Sequence, residues 1–203
     1  MIPHLDARRT AVGIGHSEIG SFAFEPDDEV WIGSYAPNDA GNRAMLTQLA
    51  ARPVRHVSYI STATANIAAT ISCYRYPRVK AHAEATAREL LDARIVRIGL
   101  VFDEVHELPA GTNAATALSG LAATMLGDAV AIGNDGIVHH YSLVTRPFNN
   151  ALERLTQRLY GVVIGLTGRR PCVLRPIDGV FSLIGWRWYG YLYLSNRLCI
   201  SMT

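Results

Sequence analysis

Cysteine is almost missing from this chain: three in 203 residues, Cys73, Cys172 and Cys199, far apart and with no Cys-x-x-Cys pair. That excludes a disulfide framework and a thiolate zinc site, and it fits a reducing compartment. Charge is equally thin. Nineteen basic residues stand against 17 acidic ones, for a net charge of +2, and no block of like charges occurs. A nucleic-acid-binding face is therefore not expected. No stretch reaches the ~18 uninterrupted apolar residues of a membrane helix. MIPHLDARRT has no apolar core behind its charges, unlike a secretory signal. The expected location is cytoplasmic. What is abundant is apolar: 49% hydrophobic against 18% charged residues. Such a chain is too apolar for disorder and long enough for one domain with a sizeable core.

Short apolar runs alternate with longer amphipathic ones, the order of a parallel sheet covered by helices. Strands are expected at Thr10–Gly15, Glu29–Tyr35, Val54–Ile60, Ile95–Phe102 and, late, Gly161–Leu166. Helices are expected at Asn42–Ala51, Pro77–Leu91, Thr112–Leu126 and Phe148–Tyr160. Pro77 suits a first helical turn, where its missing N–H costs nothing. VRHVSYI and IVRIGLVF are apolar enough to be covered on both faces, so they should lie centrally and parallel to each other. After about residue 176 the composition turns aromatic, with Trp186, Trp188, Tyr189, Tyr191 and Tyr193. This divides the chain into a main domain over 1–175 and a C-terminal segment over 176–203 packed on it. The segment reads as a packing element or substrate-side lid, as a subunit contact, or as a peripheral membrane contact over 181–194.

Chemistry concentrates between residues 54 and 102. A strand ends in Ser61 and Thr62, a loop follows, and Tyr76-Pro-Arg-Val-Lys80 opens a helix. Tyr76 and Lys80 then share one helix face, a turn apart. A nearby ammonium favours the phenolate and is expected to lower the tyrosine pKa. Such a phenol can pass a proton to or from a hydroxyl or carbonyl while a hydride moves elsewhere. A serine or threonine hydroxyl at the strand end would hold the same oxygen.

HVSYIST, Tyr76-x-x-x-Lys80, Glu84 and Arg97-Ile-Gly99-Leu-Val101-Phe102, in that order, resemble the extended or atypical branch of the short-chain dehydrogenase/reductase superfamily. That branch includes the NAD-dependent epimerases and dehydratases of nucleotide sugars. More faintly, EVWIGSYAP with Asn42 and Leu46 resembles the family's fourth strand and the helix whose Asn organises a proton path. IGNDGIVHHYSLV resembles the segment leading to its late helix. The resemblance spans roughly residues 28–165 and implies an abbreviated Rossmann-like α/β fold with a small C-terminal helical and aromatic segment. It implies Tyr76 as acid/base, Lys80 as its tuner and ribose contact, and Thr62, then Ser61, as the hydroxyl partner. It also implies NAD or NADP as cofactor, bound through Gly13, Gly15, Gly20, Lys80 and Asn42, and a homodimer whose helices approach over Ala81, Ala83, Ala85 and Ala87.

Two departures qualify this picture. The phosphate-binding Gly-x-x-Gly-x-x-Gly is replaced by Gly13-Ile-Gly15-His-Ser-Glu-Ile-Gly20, and Glu29 follows almost at once. Two strand–helix units of ~30 residues each are missing at that point. The chain is therefore expected to be an NAD(P)-dependent oxidoreductase or epimerase/dehydratase acting on a nucleotide sugar or similar hydroxy/keto substrate. A ketoreductase on a natural-product intermediate would read the same way. The alternative is a cofactor-free relic of the fold serving as a binding or assembly module. His139 and His140 should point to opposite faces of a strand and share no metal. Cys73 has no activating neighbour, and His16 could face a phosphate.

Overall fold

The computed structural model describes residues 4–6, 9–14, 23–24, 28–33, 35–54, 56–68, 75–108, 112, 115–125 and 135–142, and single positions between 150 and 183. A six-stranded sheet is its centre. Strands β1 (His4–Asp6), β2 (Arg9–Ile14) and β3 (Glu29–Ile32) precede helix α1 (Asp39–Ala50). Then come β4 (His56–Thr62), the short α2 (Ala65–Ala68), α3 (Arg75–Leu91), β5 (Arg94–Ile98) and β6 (Leu100–Phe102). A 3-10 turn at Val105–Glu107, β7 (Ala115–Ala117), α4 (Leu118–Met125) and β8 (Ile137–His140) follow. The sheet order is β1-β2-β3-β4-β5-β8, with β2 through β8 parallel and β1 antiparallel to β2.

The architecture is a parallel sheet flanked by helices, Rossmann-like in kind, with β4 and β5 adjacent in its interior. Both faces are apolar because both are covered. Val30, Ile32, Val57, Tyr59, Ile95 and Ile137 form one face, packed with Met45, Leu46 and Leu49 of α1 and Ala83 and Ala87 of α3. Trp31, Val96 and Val138 form the other, with Ile60, Ile98 and Met125 of α4 against them. Ala83 and Ala87 are thus core residues. Of the four alanines expected to let a second subunit approach, only Ala81 and Ala85 are not buried.

Local chemistry sets the helix starts. Asn38 caps α1, its Oδ1 accepting from the Gly41 amide at 2.7 Å, and Asp39 sits in the first turn where the helix dipole favours an anion. Pro77 falls in the first turn of α3, and the chain leaves that helix through Asp92 at φ 49°.

Three expectations are corrected. Ile95–Phe102 is two strands, because the Gly99 amide donates to Thr116 Oγ1 and β6 leaves the main sheet to pair with β7. The first part of the expected helix Thr112–Leu126 is β7, which pairs with β6 and bridges to Ser142. Pairing there outweighs the helix propensity of alanine. Val162, inside the strand expected at Gly161–Leu166, is helical. Among the described residues no helix is long and apolar enough to cross a membrane.

β1 was not foreseen, and it matters for the site. It occupies the place beside β2 where a complete dinucleotide-binding sheet carries its second parallel strand. The parallel strands run β2-β3-β4-β5-β8 in chain order, so among the described residues the strand order never reverses. Reversal is what opens the ligand crevice in a doubly wound sheet.

Candidate functional site

The candidate site lies at the carboxyl ends of β3, β4, β5 and β8, the edge where open parallel sheets bind ligands. Thr62 ends β4, while Tyr76 and Lys80 lie in the first turns of α3. Thr62 lies close enough to the Tyr76 hydroxyl to influence its titration, and the Tyr76 ring is partly exposed. Thr62 Oγ1 also lies 3.0 Å from Thr64 Oγ1 and accepts from the Thr64 amide. Tyr35, just beyond β3, packs edge-on against Tyr76 with ring centroids 5.3 Å apart.

Lys80 behaves otherwise than expected. It is 4% exposed, its Nζ donates to the Ile60 carbonyl at 3.3 Å, and it sits over the rings of Tyr35 (4.5 Å) and Tyr59 (5.2 Å). Burial pushes its pKa down to about 8, with Glu84 opposing. The ammonium is thus directed into the protein between two aromatic faces. The Tyr76 pKa is not lowered. Burial raises it first and Tyr35 second, while Thr62 works the other way. The expected depression by Lys80 is therefore corrected: Lys80 does not figure among the influences on Tyr76. Tyr76 is a protonated phenol over the ordinary pH range, suited to donate.

Beneath Lys80 lies a buried polar column that spacing alone could not reveal. Glu84, one turn further along α3, receives a bidentate pair from Arg97 on β5 at 2.9 and 2.6 Å. The Arg97 guanidinium also donates to Asn66 Oδ1. Although burial acts to lower it, the Arg97 pKa is raised by Glu84. Tyr59, under Lys80, is fully buried and its phenol is pushed far above its usual range by burial, then by Glu84. Tyr35 and Tyr59 were not singled out in the sequence. Both look like ordinary strand aromatics there, and only the fold sets them around the ammonium.

The remaining predicted residues separate. Ser61 is buried and faces the α3 side of the sheet with Arg97 beside it, its Oγ without a hydrogen-bond partner. Thr62, not Ser61, meets Tyr76. Asn42 is fully buried, and its amide is committed to the loop before α1. Nδ2 donates to the Ala36 and Asn38 carbonyls at 2.9 Å each, and Oδ1 accepts from the Ala36 amide at 2.8 Å. It holds the segment next to Tyr35. Gly13 lies within β2, paired with Trp31. Gly15, His16, Gly20, Cys73 and the aromatic residues 186–193 lie outside the described residues. Among the described residues, no three histidine, cysteine or acidic side chains converge to hold a metal ion.

A nicotinamide dinucleotide fits this site in part. Thr62 and Tyr76 present hydroxyls at the edge where its reacting end would lie. The adenosine end finds no matching seat among the described residues, because β1 stands antiparallel where a second parallel strand would be and the strand order lacks its reversal.

No family model and no curated protein matches the chain. Two solved structures resemble it. The ChuY protein of Escherichia coli CFT073 is 16% identical, with 66% of this chain and 78% of that one covered and a TM-score of 0.39. A Bacillus halodurans protein described as an NAD-dependent epimerase/dehydratase is 12% identical, with 62% and 69% covered and a TM-score of 0.38. The fold assignment rests on the order and direction of the strands.

Proposed function

We propose that this protein is an NAD(P)-dependent oxidoreductase or epimerase/dehydratase acting on a nucleotide sugar or a similar hydroxy/keto substrate, with Tyr76 as the proton donor. What supports the reading is that Thr62 and the Tyr76 hydroxyl come together at the carboxyl edge of the sheet, with Lys80 buried one helical turn behind. When bound, NAD or NADP would supply the hydride chemistry. Tyr76, kept protonated by burial and by Tyr35, gives its proton to the substrate oxygen as negative charge develops there. Thr62 orients that oxygen. Lys80 holds the helix turn against β4 through the Ile60 carbonyl. Asn42 fixes the loop next to Tyr35, which in turn packs on the Tyr76 ring.

A second reading, a cofactor-free binding or assembly module, is favoured by the unreversed strand order. Calorimetric titration with NAD(H) and NADP(H) separates the two. Binding of either, followed by turnover over a panel of nucleotide sugars, supports the enzyme. Tyr76→Phe should then lower turnover by about 10²–10⁴-fold while leaving cofactor affinity in place. No heat with any of the four nucleotides supports the module.

A further inference from the structure

Between β8 and the site runs a chain of titratable groups that the reading above leaves unused. Asp135, in the turn before β8, accepts from the Ile137 amide at 3.0 Å and lies 3.3 Å from His139 Nε2. Burial acts to raise the Asp135 carboxyl, but the Ile137 N–H and His139 hold it below the ordinary range. An ionised carboxylate only accepts, so His139 Nε2 must carry the hydrogen. In the neutral ring Nδ1 is then a lone pair, and the Tyr141 hydroxyl lies 3.4 Å from it with the two rings perpendicular. Asp135, His139 and Tyr141 thus form an orienter, a base and a proton donor in series, the generalised triad arrangement.

Its place is as informative as its chemistry. Register sets Ser61, Arg97 and His139 in one row across β4, β5 and β8. Tyr141 stands beyond that row and packs on Ala63, the neighbour of Thr62. Arg97 lies close enough to Asp135 and Tyr141 to interact electrostatically with both. A cation near a phenol is what the sequence led one to expect for Tyr76; here the phenol has a base behind it as well.

We propose that Tyr141 is a second proton-transfer group, activated by His139 and Asp135, at the same sheet edge as Thr62 and Tyr76. A substrate proton passes to the Tyr141 oxygen as the Tyr141 proton passes to His139 Nδ1, and Asp135 stabilises the resulting imidazolium. The fitting substrate is a hydroxy or keto compound with a transferable proton on the atom next to the oxygen that Tyr76 serves. This substrate assignment rests on the reading of Tyr76 above; the activated phenol does not.

An aryl sulfonyl fluoride tests the phenol without any substrate. The tyrosine oxygen attacks sulfur, the S–O bond forms, fluoride leaves and the proton goes to the base. Peptide mass spectrometry of the whole protein should find Tyr141 labelled ahead of the more exposed Tyr35 and Tyr76. His139→Gln should slow that labelling by about 10²-fold, the lower end of a positioned base's contribution. Tyr76→Phe should leave it unchanged. Labelling of Tyr141 no faster than Tyr35, or undiminished by His139→Gln, overturns the proposal. Should the variant not fold, nitrogen-15 NMR of wild-type His139 decides. An Nε2–H neutral tautomer supports the relay, and an Nδ1–H tautomer removes the acceptor and sinks it. Failed cofactor binding with Tyr141 still labelled would retire the oxidoreductase reading alone.

Discussion

Lys80 offers the sharpest quantitative test, because its ammonium is buried with one hydrogen bond and two aromatic faces in place of water. Its pKa falls from 10.5 to about 8 on folding. That displacement corresponds to about 3 kcal/mol of preference for the neutral form in the folded state. Below the folded value Lys80 is charged in both states, and the native protein bears the full cost. Between the folded and unfolded values the folded lysine has lost its proton while the unfolded one keeps it. The unfolded state then binds more protons, so stability rises with pH. Of the total, about 2 kcal/mol should have appeared by about pH 9.5.

Urea unfolding of the wild type and of Lys80→Met, followed by circular dichroism at several values between about pH 7 and pH 9.5, reads this directly. Staying below pH 10 matters. Tyr59 and Tyr76 have pKa values raised by burial, so the unfolded tyrosines ionise first and stability falls again above that point. The difference between the two proteins removes every group they share. Wild type should gain on Lys80→Met as the pH rises. A flat difference across this range would mean that the ammonium keeps its ordinary pKa and is hydrated, contrary to the geometry.

Glu84→Gln should destabilise the fold by about 3–5 kcal/mol in the same assay, since it leaves the Arg97 guanidinium buried and uncompensated. The same change should move the Lys80 transition to lower pH, because Glu84 is what opposes burial there. Gly41→Ala should cost about 1–3 kcal/mol despite alanine's better helix propensity. A Cβ there would stand 2.7 Å from Ala36 Cβ and 3.1 Å from the capping Asn38 oxygen. Ala36→Gly in the same chain should recover most of that loss in thermal melts, and no recovery would place the strain elsewhere.

Periodicity and composition by themselves determined most of the sheet. The runs at β3, β4 and β5 are apolar on both faces, and such runs have few homes other than a parallel sheet covered on both sides. α1 and α3 were legible from spacing, a following Pro53 and an opening Pro77, because these signals are local. The expectation that Thr62, then Ser61, serves Tyr76 came from the resemblance to a family's motif order, not from spacing.

What the sequence could not determine depended on partners distant along the chain. β6 and β7 exist because Thr116 reaches the Gly99 amide and the His140 carbonyl, bonds whose partners lie 17 and 24 residues away. The flanking β1 is three residues long, too short for any periodic signal. Whether Lys80 would reach a ligand or turn inward was settled by Tyr35, just beyond β3, and Tyr59 on β4, closing over its ammonium. His139 was likewise only one of two adjacent histidines until β5 set Arg97 beside it and the turn before β8 brought Asp135 to its ring. Spacing fixes which residues share an element and a face. The pKa of a buried group is set by the dielectric and charges around it, and those come from other elements, so the protonation states at this site belong to the tertiary structure.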